Sequence, residues 1–220
     1  FVREALVKRH PRESFLLADK MPVWLAKEPS DLERLFQEQL QKTGAGYFDY
    51  YLLHSLRDKN IAAADAVDAW SFIRQKKEEG LVKHIGFSFH DTAETLDKLL
   101  TLHPEMEFVQ LQINYADCDN PRIQSRLCYE TARPHQNPVI IMEPVKGGAL
   151  ANLSEEATAI LKNADPAASA ASWAIRFAAS LEGLVTVLSG MSTYAQVEDN
   201  TSFMAQLQPM TEQERALVFS

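Results

Sequence analysis

The residues of this sequence best suited to chemistry stand at the ends of short apolar runs. Phe15-Leu16-Leu17-Ala18-Asp19-Lys20 and Tyr47-Phe48-Asp49-Tyr50-Tyr51-Leu52-Leu53-His54 both read as buried strands. Side chains alternate across a strand, so Leu16, Ala18 and Lys20 share one face, and Phe48, Tyr50, Leu52 and His54 share another. Each face ends in a titratable group. A half-buried ammonium has its pKa lowered by desolvation and can polarise a neighbouring acid or hydroxyl. An imidazole beside it can donate a hydrogen bond to a carbonyl oxygen where negative charge develops. A structural role fits the same pair, with Lys20 reaching solvent and His54 satisfied by backbone.

Other runs extend the set. On Val82–Phe89 the face is His84, Gly86 and Ser88; on Phe108–Asn114 it is Gln110, Gln112 and Asn114. Inward amides need partners, and a ligand amide is one candidate. Lys146-Gly147-Gly148 follows the run ending at Val145, and Ser189-Gly190-Met191-Ser192 joins the last strand to the last helix. Glycines let backbone approach a ligand closely, and a helix N-terminus offers free N–H groups to a phosphate. Plain turn chemistry reads the same. His54, His84, His90 and Glu143 lack metal-ligand spacing, so no metal site is expected.

These residues need strands and helices to hold them. Apolar runs alternate with helical stretches: Ser30 and Glu33 as a capping box before Leu32, Leu35, Phe36 and Leu40; a helix over 65–79; one capped by Asp91; one from Pro121; two at 155–161 and 170–181; and a last one boxed by Thr193 and Gln196. Strands apolar on both faces and alternating with helices imply a parallel α/β sheet, here of six strands. An open nucleotide-binding sheet usually has a Gly-rich first turn, and Met21-Pro22-Val23-Trp24 has none. The expected fold is a (β/α)8 TIM barrel with six βα units visible, N-terminally incomplete. Phe1–Arg9 reads as an amphipathic helix entered midway, placing the other two strands ahead of Phe1. Residues 1–220 form one barrel domain on this reading.

Composition narrows the function. Lys and Arg total 22 against 30 Asp and Glu, a net charge of −8, which argues against nucleic-acid and anionic-membrane partners. Two cysteines, Cys118 and Cys128, make no disulfide framework and suggest a reducing, cytoplasmic setting. No apolar run reaches the roughly 18 residues of a membrane span. Nothing in the sequence specifies an oligomeric state.

Taken in chain order, several stretches resemble the aldo-keto reductase family. They are Leu17-Ala18-Asp19-Lys20, Asp49–His54, Gly80–Ser88, Val109–Tyr115, Met142-Glu143-Pro144-Val145 with its glycines, and Gly190-Met191-Ser192 leading to Gln196 and Asp199-Asn200. The nearest likeness is to the branch whose full-length members carry a ferredoxin-like iron–sulfur segment after the barrel; any cluster would lie beyond Ser220. The resemblance implies NAD(P)H-dependent interconversion of carbonyls and alcohols, acting on a small-molecule carbonyl substrate. It puts Lys20 and His54 on two of four catalytic positions, Lys20 lowering the pKa of a tyrosine acid and His54 orienting the substrate. The Asp and Tyr of that set are expected ahead of Phe1. It also implies that Ser88 and Gln112 hold the nicotinamide carboxamide and that Met142 lies at the ring. Pro144, Val145 and Gly147 would line the pyrophosphate. Gly190, Met191 and Ser192 would flank the adenosine phosphate, and Gln196 and Asn200 hold the adenine end. Phe89 stands where an Asn is usual, and Ser192 and Thr193 where a basic residue often meets the 2′-phosphate of NADP, which leaves NADP or NAD as cofactor. A nicotinamide-binding regulatory or electron-relay module is the alternative, and a phosphate-binding isomerase or lyase barrel a third.

Overall fold

Strand and helix alternate as the apolar pattern requires, in a computed structural model that describes residues 1–219. The strands pair in chain order: β1 (Ala18–Met21), β2 (Phe48–Leu56), β3 (Val82–Phe89), β4 (Phe108–Gln112), β5 (Val139–Met142) and β6 (Leu184–Val187). The β1–β2, β2–β3 and β5–β6 pairings are parallel. Parallel neighbours need a crossover between them, which α1 (Pro29–Thr43), α2 (Asp58–Ala66), α3 (Ala69–Glu78), α4 (Ala93–Leu102), α5 (Ser125–Ala132), α6 (Glu155–Ala164) and α7 (Ala170–Ala179) supply; α8 (Tyr194–Met204) and α9 (Glu212–Val218) follow β6. The residues group into two compact units: 1–110 with 135–137, and 111–134 with 138 onward.

In the first unit β2 is the axis. Its outer face presents Tyr51 to Phe36 of α1, edge-on at 5.1 Å, while the Tyr51 hydroxyl donates to Gln39. Its inner face stacks Tyr50 on His84 at 5.0 Å and sets it edge-on to Phe108 at 5.3 Å. Gly86 is obligatory there, since a Cβ would collide with the Phe108 carbonyl oxygen and ring. Phe48 departs from the expected inner face and packs on Phe36 and Tyr51. It is the first residue of the strand, where alternation has not set in and the apolar side of α1 is in reach.

Further differences have local causes. β1 begins at Ala18 rather than Phe15, and Leu16 is 72% exposed. Arg12 binds the Phe15 carbonyl and Asp49 takes the Leu17 N–H, so side chains replace ladder partners there. α1 starts at Pro29, capped by Glu28 and Asp31 rather than by Ser30 and Glu33, because proline suits the first helical position. The single helix expected over 65–79 is α2 and α3, broken where Asp68 turns left-handed at φ 53°, a conformation Asp tolerates better than most residues. Thr92, not Asp91, caps α4. Phe1–Arg9 holds only a short π-type turn, Arg3–Val7, with no buried residue.

In the second unit α7 carries the buried side chains Trp173, Ile175 and Phe177. β4 and β5 end short of Asn114 and Val145: Asn114 turns its amide to Asp117 and the Glu143 carbonyl, Glu143 is left-handed at φ 57°, and Pro144 has no N–H to donate. β6 likewise stops at Val187. α5 begins at Ser125 rather than Pro121, since Asn120 holds Arg122 and Gln124 in turns. α8 carries the expected Thr193–Gln196 box. α9 follows the helix expected to be the last; Thr211 and Glu214 cap one another reciprocally at its start. No helix among the described residues is long and apolar enough to cross a membrane.

Candidate active site

Lys20 and His54 do share a face in the first unit. Register sets Ala18 opposite Tyr50 and Lys20 opposite Leu52, with His54 one inward step further along β2. Immediately after His54 the strand bulges: Leu53 pairs with Phe87 but Leu56 with Phe89, and Ser55 is left-handed at φ 58°. Bulges next to working groups re-aim side chains. The Ser55 N–H is caught by the hydroxyl of Ser88 at 2.7 Å, and the His54 ring lies 4.9 Å from Trp24. Ser88 is therefore a fully buried brace of the bulge.

The electrostatics follow from burial. Desolvation pulls the Lys20 ammonium below its usual range, against the attraction of Asp19. Desolvation and then the Lys20 charge lower His54, so its imidazole is mostly neutral at pH 7. His90 is pushed down to about 4 by burial first, then by Arg57, Lys20 and His54. Arg57 and His90 thus belong to this group although strand-face reasoning missed them. His84 lies at the other end of β3, against Tyr50 and Glu107, so it does not join His54 and His90.

The second unit holds a cleft of about 310 Å³. Pro144, Val145, Gly147, Gly190, Ser192, Gln196 and Asn200 line it, together with Glu143, Gly148, Ser189 and Asp199. Met142 and Met191 do not; Met191 is 42% exposed. Gly147 and Gly148 stand at φ 61° and 93°, with no neighbour within 3.4 Å of either would-be Cβ. Glycine suits those angles and lets the backbone come close to a ligand, while the Gly148 N–H itself donates to the Val145 carbonyl at 3.0 Å. Gln196 accepts from the Ser192 and Thr193 N–H groups at 2.7 and 3.2 Å, and Asn200 donates to Ser189 at 2.9 Å, so both brace the loop they were expected to use for a ligand.

One hub was not foreseen. The buried carboxylate of Asp117 takes Lys146 at 2.6 Å, Asn114 at 3.2 Å and Gln112 at 3.3 Å. Gln112 and Lys146 are thereby engaged inside the fold, and Lys146 pins the start of the glycine loop. Nothing in spacing marks Asp117, because it works from a turn.

A nicotinamide dinucleotide suits these donors in part. A glycine loop without Cβ bulk and the Ser189 and Ser192 hydroxyls fit a pyrophosphate or ribose, and the volume suits part of such a molecule. No Lys or Arg lines the cleft.

Solved structures share the fold. An aldo-keto reductase from Bacillus halodurans, holo form, is 19% identical with a TM-score of 0.77, over 99% of this chain and 74% of that one. A thermostable aldo-keto reductase, Tm1743, in complex with the inhibitor epalrestat, is 18% identical with a TM-score of 0.79, over 99% and 75%. An aldo/keto reductase from Klebsiella pneumoniae in complex with NADP and acetate is 19% identical with a TM-score of 0.75, over 99% and 72%. No curated protein sequence matches the chain significantly. The model of the aldo/keto reductase family matches residues 1–218, and the chain belongs to that family.

Proposed function

We propose that the protein reduces a small carbonyl compound to an alcohol, or runs the reverse, with a nicotinamide dinucleotide held in the glycine-lined cleft. The observation that carries this is the convergence of Lys20 and His54 on one inward face at the C-terminal ends of β1 and β2, the end at which parallel barrels place their chemistry. When bound, the reduced dinucleotide supplies the hydride.

This chain's own residues do the rest. Neutral His54 donates its ring N–H to the carbonyl oxygen and fixes its position. The Lys20 ammonium, half-buried and so weakly screened, stabilises negative charge as it builds on that oxygen. The Trp24 ring beside His54 excludes water from one side. Tyrosines of the first unit do not serve as the acid: Tyr47 receives Lys83, Tyr50 stacks on His84, and Tyr51 faces Gln39. In the family a tyrosine hydroxyl delivers the proton that completes the alcohol, and Lys20 stands where its charge would lower that hydroxyl's pKa. That the chain is of the iron–sulfur branch, that it is cytoplasmic, and that its residues form one barrel domain are parts of the same proposal. The Klebsiella relative's NADP favours that cofactor, whereas a cleft without Lys or Arg favours NAD.

Fluorescence titration with NADPH and NADH, followed by cofactor oxidation with a panel of aldehydes, tests the reading. Binding with turnover is expected. Binding without turnover would replace it with the regulatory or electron-relay reading; no binding would overturn both.

A further inference from the structure

The bulge at Ser55 changes which residues face inward. Up to Leu53 the inward set on β2 is Tyr50 and Leu52, facing His84 and Gly86. Between Leu53 and Leu56 β2 advances three residues while β3, from Phe87 to Phe89, advances two. Leu56 therefore returns to the outward, buried side with Phe89, and Arg57 takes the inward parity of Ser88 and His90. The Leu56 carbonyl accepts the His90 N–H at 3.1 Å, and Arg57 is the largest charge acting on His90. A regular strand would have turned Arg57 outward.

Arg57 lines an open cleft of about 470 Å³ with Trp24, Ser55, Lys59 and Asn60. Asn60 is held by the Ser55 carbonyl at 2.8 Å, and Trp24 is the ring that touches His54. Among the described residues no carboxylate oxygen lies within 4.0 Å of the charged nitrogens of Lys20, Arg57 or Lys59. A half-buried guanidinium with no carboxylate partner, beside a second cation and an aromatic wall, is a receptor for a planar anion. We propose that Arg57, aided by Lys59, binds a carboxylate on the substrate, so that the carbonyl compound reduced at Lys20 and His54 is an oxo acid. This rests on the reductase reading for its reaction but not for its binding.

The test compares 4-carboxybenzaldehyde with benzaldehyde as substrates for NADPH oxidation in the parent, Arg57→Met and Arg57→Lys. The parent should prefer the charged aldehyde at least tenfold in kcat/KM, mostly through KM. Arg57→Met should abolish that preference and Arg57→Lys restore part of it. Equal kcat/KM for the two aldehydes in the parent, or a preference untouched by Arg57→Met, overturns the proposal. Lys59→Met, at an exposed position, should cut the preference about threefold through lost charge, and it decides the matter should Arg57→Met not fold. If neither aldehyde turns over, the reductase reading fails and calorimetry with benzoate decides: binding weakened at least tenfold in Arg57→Met supports the anion site, and no binding to the parent overturns it.

Discussion

At the N-terminal ends of β2 and β3, Asp49 gathers Arg12 at 2.7 Å and Lys83 at 2.8 Å, while Arg12 also binds the Ala45 and Tyr47 carbonyls and lies 3.8 Å over the Tyr47 ring. Glu107 takes Lys77 at 2.6 Å and His84 at 3.4 Å. At the C-terminal ends of the same strands, Lys20, His54, Arg57 and His90 crowd together, and each histidine is held below its usual pKa. One end pairs its buried charges in salt bridges; the other keeps two cations beside two histidines held neutral, with only the through-space pull of Asp19 on Lys20. An arrangement that costs stability persists where it serves binding or catalysis, so the contrast supports the proposal that the second end is the one that works.

The largest expected effect falls at the paired end. Arg12→Met leaves the buried Asp49 carboxylate short of a partner and should lower stability by about 3 kcal/mol, read by urea denaturation. Asp49 is held below the usual carboxylate range by Lys83, Leu17 N–H and Arg12 against desolvation, so its contribution is present above the unfolded value and lost as pH falls through the lower folded one.

His90 should behave in the opposite sense to a salt-bridged histidine. Its folded pKa is about 4 against 6.5 unfolded, so between those values the unfolded chain binds a proton that the folded chain refuses. Stability should fall by about 2 kcal/mol as pH drops from 6.5 to 4, after allowing for partial exposure. His90→Gln should flatten that segment of the profile; a profile unchanged by the substitution would contradict the crowding.

The smallest effect sharpens the contrast most. Lys20→Met removes a desolvated ammonium that forms no salt bridge and feels only the through-space pull of Asp19, and should raise stability by about 1 kcal/mol while cutting carbonyl turnover severely. A thermal melt and a kcat measurement on one preparation check both, and a loss of stability would place Lys20 with the paired set.

Legibility followed the range of the forces involved. β3 was readable to the residue, and so was the Thr193–Gln196 box, because local pattern and capping set both. The shared face of Lys20 and His54 was readable because strand alternation is local too. The α2–α3 break was hidden, since a left-handed Asp68 is one conformation among several that Asp permits. Asp117 was hidden because its partners arrive from β4 and the loop after β5. Arg57 was lost for a sharper reason: counting by twos fails after a bulge that no residue type at Ser55 announces.

If Arg57 receives a substrate carboxylate, that extra residue ties selectivity to chain length as well as to side-chain identity. An in-frame loss of the codon for position 55 would leave Leu56 outward and the guanidinium inward on a regular strand, whereas one codon gained there would turn the guanidinium toward the helices and the Leu56 side chain toward the mouth. If the proposed carboxylate site is real, lineages gaining a single codon there would exchange acidic substrates for neutral ones with the lysine and imidazole left in place, and lineages losing one would not.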